Sequence, residues 1–318
     1  MTATAVVFAY HNVGVRCLSV LLGQGVRVVL VVTHQDNPSE TIWFDSVEKL
    51  ARTHALPVIM PADANEPAVV AQIRVLQPDF LFSFYYRNML GPELLALPLR
   101  GAYNMHGSLL PKYRGRVPVN WAVIMGERET GATLHQMVAK PDAGGIVDQQ
   151  AVPIGSEDTA AEVFGKVTAA AEQVFARALP GLIAGSARIT PQDLSKGSYY
   201  GGRKPEDGCI DWTKSAREVH DLVRGVAPPY PGAFTQIGAM TLRILRTRLD
   251  PNRRPRSGSP GLYFEAGSFF ADCGDGKVLR ILELDAKDDR GSPLDPAAFA
   301  SGKIAFEAVS ELPKRPLN

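Results

Sequence analysis

The sequence predicts a doubly wound α/β domain followed by a small β-barrel, and three observations carry that prediction. Continuous β-branched runs at 5–10 (AVVFAY) and 26–33 (VRVVLVVT) have the pattern of strands covered on both faces of a parallel sheet. Amphipathic windows alternate with such runs through the first half, the rhythm of right-handed strand–helix–strand crossovers. Past the middle of the chain the rhythm changes to short strands with one helix, and 318 residues suffice for two domains at roughly 100–200 residues each.

The elements follow in order. Between the first two strands, Val15, Leu18, Leu21 and Leu22 recur at helical spacing and Gly23 and Gly25 stop the helix. Residues 57–60, 79–84 and 101–105 continue the strand series, with helices at 46–54 and 68–76. Residues 130–138 and 146–154 are two further strands, separated by the turn-rich Lys-Pro-Asp-Ala-Gly-Gly. Thr159-x-x-Glu162 is a capping box opening a helix whose Phe164, Val167, Ala171, Val174 and Phe175 share a face and which is expected to end near Pro180. The boundaries expected are a first domain at 1–190, a Gly- and Tyr-containing connector at 191–203 and a barrel at 204–310. In the barrel, Ser215-x-x-Glu218 caps a helix that Pro228-Pro229 ends, and strands are expected at 234–237, 240–249, 261–270 and 277–284.

Composition excludes several classes. With 34 Lys+Arg against 33 Asp+Glu the net charge is +1, which gives no global attraction to nucleic acid or an anionic membrane. Cys17, Cys209 and Cys273 are few, far apart and without C-x-x-C spacing, so neither a disulfide framework nor a zinc site is expected, which suits a cytoplasmic protein. No apolar run reaches the length of a membrane span. The first strand–helix turn, Tyr10-His-Asn-Val-Gly14, has a single glycine and so lacks G-x-G-x-x-G; NAD chemistry is not expected. H-E-x-x-H and G-x-S-x-G are also absent, and no metal is expected.

What remains is Tyr103-Asn-Met-His-Gly-Ser-Leu-Leu-Pro-Lys-Tyr-Arg-Gly-Arg116 and, downstream, Thr130-Gly-Ala-Thr133 and Asp142-Ala-Gly144. Asn104 and His106 stand two apart at the end of a predicted strand, so their side chains emerge on one side, at the carboxyl edge where open α/β sheets place ligands. An amide can donate to a carbonyl oxygen as it becomes negative, and an imidazole can carry a proton between an attacking and a leaving nitrogen. Asp142, in a Gly-rich turn, can fold back to hold the imidazole. His135 reads as a packing or edge residue of its strand, and Trp121 as core on the helix after Pro118. Phe84, Tyr85 and Tyr86 read as core or as a stacking surface. Arg87 and Arg203 are candidates for a diphosphate.

These strings resemble the signature of the folate-dependent formyltransferases. The resemblance covers nearly the whole chain and implies a Rossmann-like formyltransferase domain followed by an OB-like β-barrel. It implies an N-formyltransferase using 10-formyltetrahydrofolate, with Asn104 stabilising the oxyanion, His106 carrying the proton and Asp142 favouring its protonated form. It places folate contacts at Asn88, Met89, Leu90, Arg116, Val138, Ala139, Lys140, Pro141 and Asp142; at Asn88 the close relatives carry His. Further strings, among them Phe82-Ser-Phe-Tyr-Tyr-Arg87 and Tyr230-Pro-Gly-Ala-Phe234, resemble the branch that formylates UDP-4-amino-4-deoxy-L-arabinose for lipid A modification and polymyxin resistance. In that branch the transformylase is fused to an oxidative decarboxylase, here expected as a separate partner chain if present.

The rival reading within the resemblance is a methionyl-tRNA formyltransferase. Residues 243–256 hold six arginines and one aspartate, a candidate RNA-facing stripe. Against it, the tRNA enzymes carry a basic insertion after the second strand, whereas residues 33–46 contain no Lys or Arg. Formylation of another nucleotide-linked 4-amino sugar, a non-catalytic folate-binding module and a formyl-tetrahydrofolate hydrolase are the remaining alternatives.

Overall fold

The computed structural model describes residues 2–38, 40–237, 240–256, 258–287 and 304–305. The chain divides into two compact units, one of residues 1–119, 129–153 and 163–202, the other of residues 120–128, 154–162 and 203–318. In chain order the elements as far as the connector are β1 (Thr4–Ala9), α1 (His11–Gly23), β2 (Arg27–Val32), α2 (Val47–Thr53), β3 (Val58–Ile59), α3 (Pro67–Leu76), β4 (Phe80–Phe84), α4 (Pro92–Leu95), β5 (Ala102–His106), β6 (Arg114–Gly115), α5 (Pro118–Ile124), β7 (Glu129–Gln136), β8 (Ile146–Pro153), α6 (Ala160–Ala184) and β9 (Tyr199–Tyr200).

In the first unit a seven-stranded sheet runs β3-β2-β1-β4-β5-β7-β8. Its first five strands are parallel, and β7 and β8 add an antiparallel hairpin to β5. The chain winds outward from β1 through β2 to β3 and then returns to the other side of β1 as β4. The carboxyl ends of β1 and β4 therefore frame the switch point where such sheets receive ligands. One face packs Val6, Phe8, Leu30, Val32 and Leu81 against Val69, Val70 and Ile73 of α3. Each such buried side chain contributes roughly 1.5–3 kcal/mol. On the other face Phe175 of α6 stands edge-on to Phe82 and Phe84, at ring-centre distances of 5.1 and 4.8 Å. Gly14 of α1 is needed for close packing, because a Cβ there would lie 3.0 Å from Val47 and 3.1 Å from Ala9.

The capping box at Thr159 forms, with Glu162 accepting from the Thr159 amide at 2.7 Å. The helix does not end near Pro180, however. It runs through that proline to Ala184 and stops where Gly185 takes a left-handed φ of 71°; the glycine at C′ ends the helix more firmly than the proline does.

The second unit holds α7 (Ala216–Val226) over an antiparallel sheet of β10 (Ala233–Ile237), β11 (Met240–Asp250), β12 (Gly261–Glu265), β13 (Ser268–Asp272), β14 (Val278–Lys287) and β15 (Ile304–Ala305), in the order β10-β11-β14-β13-β12-β15. This is the small OB-like domain. The Ser215–Glu218 capping box forms, and Val219, Val223 and Val226 join Ile244, Leu279 and Trp212 in its core. The strand expected at 261–270 is instead the hairpin β12–β13. Ala266 and Gly267 both have positive φ, 49° and 76°, the two-residue turn that matches the twist of its strands. Trp121 is half-buried rather than core, with the Arg203 guanidinium 6.0 Å from its ring centre. The expected barrel boundary at 310 lies outside the described residues, among which no helix is long and apolar enough to cross a membrane.

Candidate active site

Strand β5 delivers Asn104 and His106, and the register of its antiparallel partner completes the site. Asn104 pairs with His135 and His106 with Thr133, so Asn104 and His135 project from one face as direct neighbours. The Asn104 Nδ2 lies 3.1 Å from His135 Nε2. His135 Nδ1 lies 2.7 Å from the Gln136 carbonyl oxygen and therefore donates there, so that Nε2 accepts from the Asn104 amide in the neutral ring and faces Asp142 as a donor in the protonated one. His106 Nε2 donates to the Tyr113 carbonyl at 2.7 Å, which turns its Nδ1 toward Asp142.

Asp142 reaches this cluster from the β7–β8 turn with a left-handed φ of 51°. Its Oδ1 lies 3.6 Å from His106 Nδ1 and 3.5 Å from His135 Nε2, and its Oδ2 accepts from the Gly115 amide at 2.8 Å. Burial by itself would raise the Asp142 pKa. When the two imidazoles are protonated, the charge of His106, the hydrogen bond and charge of His135 and the hydrogen bond of the Gly115 amide outweigh it and hold the carboxyl well below the usual carboxylate range. The site thus keeps a fixed anion beside two buried imidazoles, His106 and His135 being only 6% and 1% exposed.

The Gly-Ser-Leu-Leu-Pro segment is the mount for His106. Thr133 Oγ1 donates to the Ser108 carbonyl at 2.6 Å and accepts from the Leu110 amide at 3.2 Å. Gln149 of β8 donates to the Leu110 carbonyl at 2.8 Å, and Ser108 Oγ to the Lys112 carbonyl at 2.7 Å. Gly107 is required by space, since a Cβ there would sit 1.9 Å from the Tyr85 hydroxyl oxygen. Short β6 pairs with β9, which ties the loop carrying Tyr113 and Gly115 to the connector.

The structure therefore brings Asn104, His106 and Asp142 together and adds His135, which sequence reasoning had placed as packing; only the β5–β7 register reveals it. Thr133, Gln149 and Tyr85 were likewise not singled out as supports. Of the expected folate contacts, Asn88 and Met89 are exposed on the loop after β4, where Asn65 holds the Met89 carbonyl at 3.0 Å. Leu90 is buried in the apolar cluster against which Met137, the residue before Val138, also packs. Val138, Ala139 and Lys140 are exposed, Pro141 is half-buried, and Arg116 is exposed with its amide donating to the Tyr200 carbonyl at 2.9 Å. Arg87 forks Glu40 at 2.9 and 2.8 Å and lies over the Tyr10 ring. Tyr86 stacks on His34, with ring centres 4.0 Å apart, while Phe84 is core. Arg114, 8% exposed, has a buried Nε without a hydrogen-bond partner among the described residues. No group of His, Cys, Asp and Glu among the described residues is arranged to hold a metal ion.

Comparison with known proteins gives two family matches. The formyl transferase family matches residues 16–179, and the family of formyl transferase C-terminal domains matches residues 203–303. Among solved structures, the chain is similar to an N-formyltransferase from Helicobacter canadensis in complex with folinic acid and dTDP-3-aminofucose (21% identity, 88% of this chain and 99% of that one, TM-score 0.68). It is similar to WlaRD, a sugar 3-N-formyltransferase in the presence of dTDP and 5-N-formyl-THF (20% identity, 88% and 98%, TM-score 0.68). It is also similar to a 4-N-formyltransferase from Francisella tularensis (20% identity, 74% and 93%, TM-score 0.61).

Proposed function

The chain belongs to the formyl transferase family, and from that premise we propose that it transfers a formyl group from 10-formyltetrahydrofolate to the amino group of a nucleotide-linked amino sugar, with UDP-4-amino-4-deoxy-L-arabinose as the acceptor. The observation that carries this reading is the convergence of Asn104, His106 and Asp142 with His135 in one buried cluster. A flat pterin suits this site. Met89 and Val138, 60% and 44% exposed, offer apolar surface next in sequence to Leu90 and Met137 of one apolar cluster. When bound, the folate supplies the formyl carbon and the leaving nitrogen.

The residues of the chain do the rest. As the acceptor amine adds, the formyl oxygen gains negative charge, and the Asn104 amide donates to it. With Nε2 kept on the Tyr113 carbonyl, His106 takes the proton from the attacking nitrogen on Nδ1, where the Asp142 carboxylate balances the charge of the imidazolium, and delivers it from Nδ1 to the leaving nitrogen. Asp142, ionised throughout the working range, fixes that imidazole. No covalent enzyme intermediate is required, so the chemistry calls for no activated serine or cysteine.

The arrangement of arginines supports a small acceptor over tRNA. On the sheet, Asp285 stands opposite Arg243 and Glu283 opposite Arg246. Glu157 lies 3.8 Å from Arg248, and Glu265 pairs with Arg253. Four of the six arginines at 243–256 thus face an acidic neighbour, which weakens the field that a phosphate backbone would meet. The segment 33–46 carries Asp36, Glu40 and Asp45 and no cation. A two-acceptor assay tests the reading: purified protein with 10-formyltetrahydrofolate is expected to formylate UDP-4-amino-4-deoxy-L-arabinose and not Met-tRNA, and the reverse result would overturn the acceptor.

A further inference from the structure

The segment 190–200 braces the surroundings of Asp142 from two sides, holding the turn that carries it and the loop whose Gly115 amide bonds its carboxylate. On one side the Gln192 side-chain amide donates to the backbone carbonyls of Asp142, at 2.9 Å, and Gly144, at 2.6 Å. Both N–H bonds of one amide are spent on a single turn, the one in which Asp142 adopts its left-handed conformation. Thr190 and Ile146 exchange reciprocal backbone bonds of 2.8 Å just past that turn, which fixes where Gln192 stands. On the other side β9 pairs with β6. The Ser198 carbonyl accepts from the Arg114 amide at 3.0 Å, the Tyr200 carbonyl from the Arg116 amide at 2.9 Å, and Ser198 Oγ from the Tyr113 amide at 2.9 Å. Between those bonds lies Gly115, whose amide holds Asp142 Oδ2, and Tyr113, whose carbonyl holds His106 Nε2.

We propose that Gln192 is a positioning residue for formyl transfer: with the β6–β9 pairing it clamps the Asp142 turn so that the carboxylate faces His106. The proposal rests on the proton-carrier reading of His106 and Asp142. A left-handed aspartate in a turn with Gly144 and Gly145 has little intrinsic reason to hold one geometry, and the clamp supplies it. Because Gln192 acts through Asp142, its loss lowers turnover without removing any group from the acceptor.

The experiment uses the full chain and the acceptor that the wild type formylates. Gln192→Leu, which removes both donors, is expected to lower kcat by about 10–100-fold with KM for the acceptor within about threefold. In the double variant Gln192→Leu/Asp142→Asn, kcat should match that of Asp142→Asn alone, since a positioning residue has nothing left to position. A readout independent of turnover is the NMR titration of the His106 imidazole, whose midpoint should move in the same direction in Gln192→Leu as in Asp142→Asn. If Gln192→Leu does not fold, as its thermal midpoint would report, Gln192→Glu keeps the size, sets a carboxylate against the two carbonyls and is expected to behave alike. Wild-type kcat and an unmoved titration in either variant would overturn the clamp, as would a double variant whose loss is the product of the single losses. Wild-type turnover in Asp142→Asn would instead overturn the underlying proton-carrier reading, with the titration still reporting whether Gln192 sets the carboxylate.

Discussion

Replacing Gly107 with alanine adds one methyl group between His106 and Ser108, and the structure sets the size of the consequence. The new Cβ would lie 1.9 Å from the Tyr85 hydroxyl oxygen and 3.0 Å from its Cζ. An ordinary carbon–oxygen contact is about 3.3–3.6 Å, so one partner must retreat by roughly 1.4 Å or more. Tyr85 is poorly placed to do so, with a left-handed φ of 57° and its ring edge-on to Phe164 at 5.5 Å. The displacement therefore falls largely on the strand end that presents His106. A shift of that size costs roughly 100-fold in turnover, about 2.7 kcal/mol of transition-state stabilisation, and overpacking costs about 1–3 kcal/mol of stability. Steady-state formylation and thermal melting measure both. Tyr85→Phe in the Gly107→Ala background removes the clashing oxygen, leaves a tight contact of 3.0 Å, and should recover about tenfold of the loss. An unimpaired Gly107→Ala enzyme, or a double variant no better than the single, would refute the account.

Two further outcomes concern stability. Burial first, and the Arg87 charge second, lower the pKa of His11 to about 3 and that of His34 to about 4. In the unfolded chain these groups bind protons from about pH 6.5 downward while the folded protein refuses them. Stability should therefore fall as pH drops from 7 toward 4, with His11 alone contributing up to about 1.4 kcal/mol per pH unit at full difference. Urea midpoints against pH test this, and a His11→Phe variant that keeps the same acid slope would exclude His11 as a source. Separately, Ser215 Oγ accepts from the Glu218 amide at 3.2 Å in the α7 capping box. Ser215→Ala should lower stability by about 1 kcal/mol with kcat unaltered, and a loss of activity at constant stability would contradict a purely structural cap.

Much of this architecture was legible in the residues because local signals and tertiary structure agree. The runs at 5–10 and 26–33 became β1 and β2, and both capping boxes open the helices expected of them. Where the reading failed, the deciding force was not periodicity. Glu265-Ala-Gly-Ser268 looked like strand interior because Ala266 carries no turn signal of its own, yet Gly267 suffices to pair β12 with β13. His135 looked like an ordinary strand residue because its role depends on lying opposite Asn104, and register between strands some thirty residues apart is set by packing rather than by either strand's sequence. Gln192 and Gln149 were invisible for a related reason: a single amide far along the chain has no spacing to recognise.

The backbone shows where the fold is under tension. Of the non-glycine residues with positive φ, Gln77 caps a helix, Ala55 lies just past another, and Ala266 turns a hairpin. The other five among the described residues, His11, Tyr85, Tyr113, Val117 and Asp142, lie at the switch point of the sheet or in the segments that hold the carboxylate. Such conformations cost about 1–3 kcal/mol each and persist only where their surroundings over-determine them. Glycine at Asp142 would relax the backbone but remove the anion, and most carboxylate-free residues would keep the strain while losing the chemistry. The need for a side chain that is both anionic and at ease in the left-handed region favours aspartate over glutamate at 142. The hydrogen bonds around it hold a conformation that the turn alone would not keep, beside the imidazole to which the proposed mechanism assigns the proton.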